Sequence, residues 1–125
     1  MWSPLSCGAH YHAEPIIMWS PFSIYFSKRM LVADFIADYL HLQGVRTIFM
    51  LSGTGSIYLD DAFSSQEDME HICARHEAAA VLMAEASAKL TGTIGVAVTT
   101  TGPGGANAFA GVVEAWVDSV PVLVL

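Results

Sequence analysis

The chain has 125 residues, with an apolar fraction of 54%, 14% charged residues and a net charge of −7. That length allows one domain with a single core, and the apolar excess argues against disorder. The acidic balance without a basic patch argues against nucleic acid, and no apolar run approaches the ~20 residues of a membrane span. Cys7 and Cys73 are too few for a disulfide framework, so a reducing, cytoplasmic setting is expected.

Residues 1–29 carry three Pro, two Trp and two His before position 28, without periodicity. They lack the basic start and unbroken apolar stretch of a signal peptide, and are expected to be a disordered leader. The domain proper is expected over residues 30–125. Val32, Phe35, Ile36, Tyr39 and Leu40 recur at three- and four-residue steps, which predicts a helix with Asp34 and Asp38 off its apolar face. Gly44 follows as a stop. Residues 45–51 are rich in β-branched and aromatic side chains and predict a strand. Residues 52–56 (Ser-Gly-Thr-Gly-Ser) form a flexible loop. A short helix over 57–63 is expected after it, with Ser56 as its cap.

A polar connection at 64–68 leads to a weaker strand at 69–74, in which Cys73 is expected to be buried. A helix from about His76 to Thr91, ended by Gly92, comes next. Residues 94–100 are nearly all apolar or threonine, the mark of a strand covered on both faces. Residues 101–105 break it. A helix over 106–118 is expected to carry Phe109, Val112, Val113 and Trp116 on one stripe, and Pro121 precedes a last buried strand. The chain stops inside Val122-Leu123-Val124-Leu125, so a C-terminal truncation is expected.

This alternation predicts a three-layer, doubly wound α/β sheet of mainly parallel strands with helices on both faces. Ligands of such sheets bind beyond the carboxyl ends of the strands. Three loops should lie there: 52–56, 75–77 and 101–107. The glycine-rich pair could cradle phosphate, make tight turns, or let a flat ring lie against bare backbone. No phosphate-binding or dinucleotide spacing is present.

Glu77 is the candidate chemical centre. An acid in a helix's first turn can simply stabilise the helix dipole. Here Ala78, Ala79, Ala80, Val81 and Leu82 add a low-polarity wall, where a carboxyl that shares a proton suits acid–base work. His76 is expected to pack or cap. Asp60 and Asp61 are expected on a solvated face. His10, His12, His41 and His71 show no metal-ligand spacing, and no metal site is assigned.

Four ordered motifs carry a resemblance. They are Phe49-Met50-Leu51-Ser52-Gly53-Thr54-Gly55, Arg75-His76-Glu77, Thr101-Gly102-Pro103-Gly104-Gly105-Ala106-Asn107 and Asp118-Ser119-Val120-Pro121. In this order and spacing, the stretch from about Met30 to Leu125 resembles the N-terminal, pyrimidine-binding domain of thiamine-diphosphate enzymes of the acetolactate synthase and pyruvate oxidase group. The resemblance implies that Glu77 hydrogen-bonds a ring nitrogen of the aminopyrimidine, favouring the imino tautomer that takes the thiazolium proton. It implies that Ser52 and Gly53 lie against the pyrimidine, and that Gly102, Gly104 and Asn107 form a second rim. It also implies a 2-oxo acid substrate and a site shared between subunits of a homodimer or homotetramer. Magnesium and diphosphate would be held by a Gly-Asp-Gly…Asn-Asn motif on a second domain, a motif this sequence does not contain. The resemblance leaves room for a flavin, which no residue of this sequence indicates.

The sequence departs from the family pattern in three places. Ser52 stands where proline is common, Ala78 where glutamine is common, and Ala86-Ser87-Ala88-Lys89 where Gly-Tyr-Ala-Arg is usual. The chain alone is expected to be an inactive fragment of a lyase or transferase. The alternatives are a non-catalytic module that pairs with a full-length homologue, and an unrelated nucleotide-binding domain.

Overall fold

The computed structural model describes residues 30–125; the leader expected over 1–29, with Cys7, His10 and His12, lies outside the described residues. Four helices and four strands alternate: α1 (Val32–Leu42), β1 (Thr47–Met50), α2 (Ile57–Ser64), β2 (Glu70–Cys73), α3 (Glu77–Thr91), β3 (Gly95–Val98), α4 (Pro103–Val117) and β4 (Val122–Val124). The strands form one sheet in the order β2-β1-β3-β4, and every pairing is parallel.

Side chains alternate across a strand, so each strand serves two cores. Ile48 and Met50 of β1 and Val96 and Val98 of β3 pack with Ala37 and Leu40 of α1 and Ala62 and Phe63 of α2. Phe49 and Ala97, the residues between them, pack with Ala80, Val81 and Ala84 of α3 and Ala108 of α4. Leu123 joins the first cluster, while Val122 and Val124 join the second. Helices therefore cover both faces, which is the three-layer α/β arrangement expected. All four β3 residues are buried, as a central strand requires.

The structure refines four expectations. The first concerns α4, which starts at Pro103, three residues earlier than expected. Proline suits the first helical position because its fixed φ is helical and its missing N–H would be unpaired there. Gly104 and Gly105 therefore belong to the helix's first turn. The second concerns the expected stripe of Phe109, Val112, Val113 and Trp116, which does share one side of α4 and is exposed, Trp116 at 84%. The buried face of α4 is instead Gly104, Ala108, Gly111 and Ala115.

The third is Cys73, which is exposed because it ends the edge strand β2. The fourth is the Ser56–Asp60 turn. Ser56 occupies the N-cap position of α2 but makes no capping bond. Its hydroxyl accepts from the Gly53 N–H and lies 3.1 Å from Asp60 Oδ2. Asp60 is consequently half-buried, with Oδ1 shielded from water, while Asp61 stays exposed.

Small residues set the spacing between α3 and α4. A Cβ on Gly111 would lie 2.6 Å from Val81 Cβ and 2.9 Å from the Ala78 carbonyl oxygen. Any larger residue there would force the helices apart. At the far end Lys89 of α3 bridges Glu85 (2.6 Å) and Asp118, just beyond α4. Among the described residues, no helix is long and apolar enough to cross a membrane.

Candidate functional site

The strand order makes β1 the point where the winding reverses: the chain passes to β2 on one side of it and to β3 on the other. In sheets of this kind ligands bind beyond the carboxyl ends of the strands at such a point. Residues 51–56 leave β1, and residues 99–102 leave β3. They meet directly. Gly55 N–H donates to Thr100 Oγ1 at 3.1 Å.

Glu77 is the first residue of α3 and stands at the same end. His76 precedes it as the N-cap, and its Nδ1 accepts from Ala78 N–H at 3.2 Å. The imidazole thus satisfies one free helix-end donor, as its capping assignment required. Glu77 is only 8% exposed despite its position in a first turn. An acid that merely complements a helix dipole normally sits in water, so burial asks for a partner. The partner is Asn107 from the first turns of α4, whose Nδ2 donates to Glu77 Oε2 at 3.1 Å. The close approach of α3 and α4 lets this bond form.

Oε1 of Glu77 turns toward Gly104. A Cβ on Gly104 would stand 3.1 Å from Oε1 and 2.7 Å from Thr100 Cγ2. Gly53 is similarly restricted, because its Cβ would fall 2.5 Å from Thr100 Cβ. Of the three roles open to these glycines, the structure shows close packing at both positions, and the neighbour they admit is Thr100. Gly102 is different. Nothing crowds it, but its φ of 71° is one that favours glycine. It turns the chain into α4.

The structure thus brings Glu77, Gly104 and Asn107 into one contact group, with Gly53 joined to it through Thr100. Gly102 sits at the start of α4, where its carbonyl accepts from Ala106 N–H at 3.1 Å. Ser52 is exposed beside Gly53 on the opposite loop. The sequence reading missed Thr100. Its one signal was position, as the last residue before the 101–105 break. The reading also missed the Glu85–Lys89–Asp118 cluster, in which two neighbours on α3 meet a residue that follows β3 and α4 in the chain.

Among the described residues no three His, Cys, Asp or Glu side chains converge where a metal ion could be held. A depression of about 490 Å³ lies at the other end of α4, lined by Ala115, Trp116, Ser119, Val120 and Pro121. It has no ionisable side chain, so volume and chemistry part company here, and the chemistry lies at Glu77.

These features define a class: a parallel α/β domain with a buried, amide-held carboxylate at the carboxyl end of its sheet, beside the switch point. Comparison with known proteins makes the class specific. The family described as "Thiamine pyrophosphate enzyme, N-terminal TPP binding domain" matches residues 30–125, and the chain belongs to that family. It is 37% identical over 98 residues to the acetolactate synthase large subunit of Haemophilus influenzae, covering 78% of this chain and 17% of that protein. The large subunit from Lactococcus lactis is 47% identical over 81 residues, covering 65% and 14%. The chloroplastic acetolactate synthase of Arabidopsis thaliana is 33% identical over 93 residues, covering 74% and 14%. The chain therefore spans 14–17% of the length of these relatives.

Proposed function

We propose that this domain receives the aminopyrimidine end of thiamine diphosphate in an acetolactate-synthase-like enzyme acting on 2-oxo acids. One observation carries the reading: Glu77 is buried at the carboxyl end of the sheet, with Oε2 held by Asn107. A carboxylate kept from water needs a reason, and a ring nitrogen able to exchange a proton with it supplies one. When bound, the cofactor supplies a nucleophilic carbon and an electron sink.

The rest is work for this chain's own residues. Asn107 donates to Oε2 and fixes the carboxylate's orientation, leaving Oε1 as the oxygen that holds or passes a proton. The apolar first turns of α3, with Ala80 and Val81 fully buried, keep water from beneath it. Ser52 and Gly53 on one side and Gly102 and Gly104 on the other form the two rims of the site. The magnesium and diphosphate end is assigned to protein outside residues 30–125. A homodimer or homotetramer is proposed in a full-length parent, with the exposed Phe109–Trp116 stripe as support. The same stripe would serve a non-catalytic module paired with a full-length homologue.

The test is Glu77→Gln in a full-length polypeptide that carries residues 30–125. Glutamine can still accept from Asn107 but cannot exchange a proton. Hydrogen–deuterium exchange at the thiazolium carbon should slow about a hundredfold or more. Exchange at the parent's rate would return Glu77 to a structural role and favour the non-catalytic module.

A further inference from the structure

Three parts of the site converge on one side chain that the proposed function does not use. Thr100 leaves β3 at the switch point and is half-buried. Its hydroxyl accepts the Gly55 N–H at 3.1 Å. Its Cβ fills the space a side chain on Gly53 would need, at 2.5 Å. Its methyl carbon, Cγ2, lies 2.7 Å from where a Cβ on Gly104 would be. Gly104 in turn faces Glu77 Oε1, and one turn further along the same helix Asn107 holds Oε2.

We propose that Thr100 is a positioning residue of this site. Its methyl group seats the first turn of α4, and hence the Glu77–Asn107 pair, while its hydroxyl pins the 52–56 loop. The two functions sit on different atoms of one β-branched side chain. Threonine is suited to this because branching at Cβ leaves few χ1 rotamers, so both atoms are held at once. Valine keeps the shape and loses the acceptor. Serine keeps the acceptor and loses the methyl. Its bearing on catalysis rests on the proposed function; its geometry does not.

The test uses the full chain without cofactor and reads two nuclear magnetic resonance signals. Thr100→Val should speed hydrogen exchange at the Gly55 amide by roughly fivefold to tenfold, the equivalent of one neutral hydrogen bond. It should leave the Asn107 side-chain amide signals in place. Thr100→Ser should do the opposite: Gly55 stays protected, and the Asn107 amide signals shift or broaden. A merely structural threonine would move both signals together with overall stability, or neither, and either pattern overturns the proposal.

A second pair of variants addresses the methyl alone. Gly104→Ala should lower the unfolding midpoint by on the order of 5 °C through overpacking. Adding Thr100→Ser removes the 2.7 Å contact and leaves only the 3.1 Å approach to Glu77 Oε1, so it should restore at least half of that loss. No restoration overturns the methyl's role. Because no cofactor is present, these readouts fail separately from the thiamine reading, which fails on the exchange experiment above.

Discussion

At the scale of single residues, the pair to probe is Glu77 and Asn107. Removing the amide leaves a carboxylate that is 92% covered with one donor fewer. Asn107→Ala should therefore cost about 1–2 kcal/mol in urea unfolding, near the upper range for a single bond because the acceptor is charged. Asn107→Asp should cost more, since it sets a second carboxylate against the first. Equal losses in the two variants would mean that the bond contributes packing only. A second group tests differently. The Lys89 hydrogen bond, with its charge, holds the Asp118 carboxyl below its ordinary value of 3.8. The Asp118 and Glu85 bonds hold the Lys89 amine above its ordinary 10.5. A depressed acid stabilises the fold above its unfolded value, and that contribution fades as pH falls through the lower folded value. A raised amine stabilises below its unfolded value and fades as pH rises through the higher folded one. The link is thus present between about pH 4 and 10.5 and lost outward on both sides. Asp118→Asn should flatten the acid limb of a midpoint-versus-pH curve and lower neutral stability only slightly, because both groups are solvent-screened.

At the scale of elements, α4 shows where sequence pattern and packing diverge. Phe109, Val112, Val113 and Trp116 have helical spacing and high hydropathy, so periodicity alone selects them as a buried face. The structure exposes them and buries Gly104, Ala108, Gly111 and Ala115. The reason is distance. α3 brings alanines to the contact, and small residues on both helices bring the two backbones together, a face that a hydrophobicity scale barely registers. Trp116→Gln should therefore change stability by no more than about 0.5 kcal/mol, whereas Gly111→Ala should cost about 1–3 kcal/mol. The reverse order in thermal unfolding would show the stripe to be core. The strands were easier to read. Residues 47–50 and 95–98 are short, β-branched and apolar, and both were expected within two or three residues. The early start of α4 was hidden because glycine argues for a loop, yet Pro103 at the first helical position and Gly102 at φ 71° make a helix start of the same letters. Glu77, Gly104 and Asn107 were legible as three motifs along the chain. Their meeting was not, because it depends on how closely α3 and α4 pack. Thr100 was invisible for the same reason, as its three contacts lie on the 52–56 loop and the first turn of α4.

At the scale of the whole molecule, the site offers one kind of recognition. It has a buried carboxylate held by a side-chain amide, with Gly53 and Gly104 packed against Thr100; on the proposed function that carboxylate meets a flat, neutral ring. Thiamine diphosphate carries most of its charge elsewhere, on a diphosphate that proteins commonly hold through a magnesium ion with oxygen ligands. Among the described residues no cluster could hold that ion. Charge does not compensate, since the net charge of −7 repels an anion at long range. The 125-residue chain alone should therefore bind thiamine diphosphate no more tightly than thiamine, which lacks the diphosphate. If ring recognition is intact, both should bind weakly, with dissociation constants on the order of millimolar. Titration calorimetry with the two ligands separates the possibilities. Micromolar binding of the diphosphate form with magnesium, and not of thiamine, would place an anion site on this chain and move the chemical centre away from Glu77. Equal, weak binding that Glu77→Gln further reduces would leave the carboxylate as the group that recognises the ring.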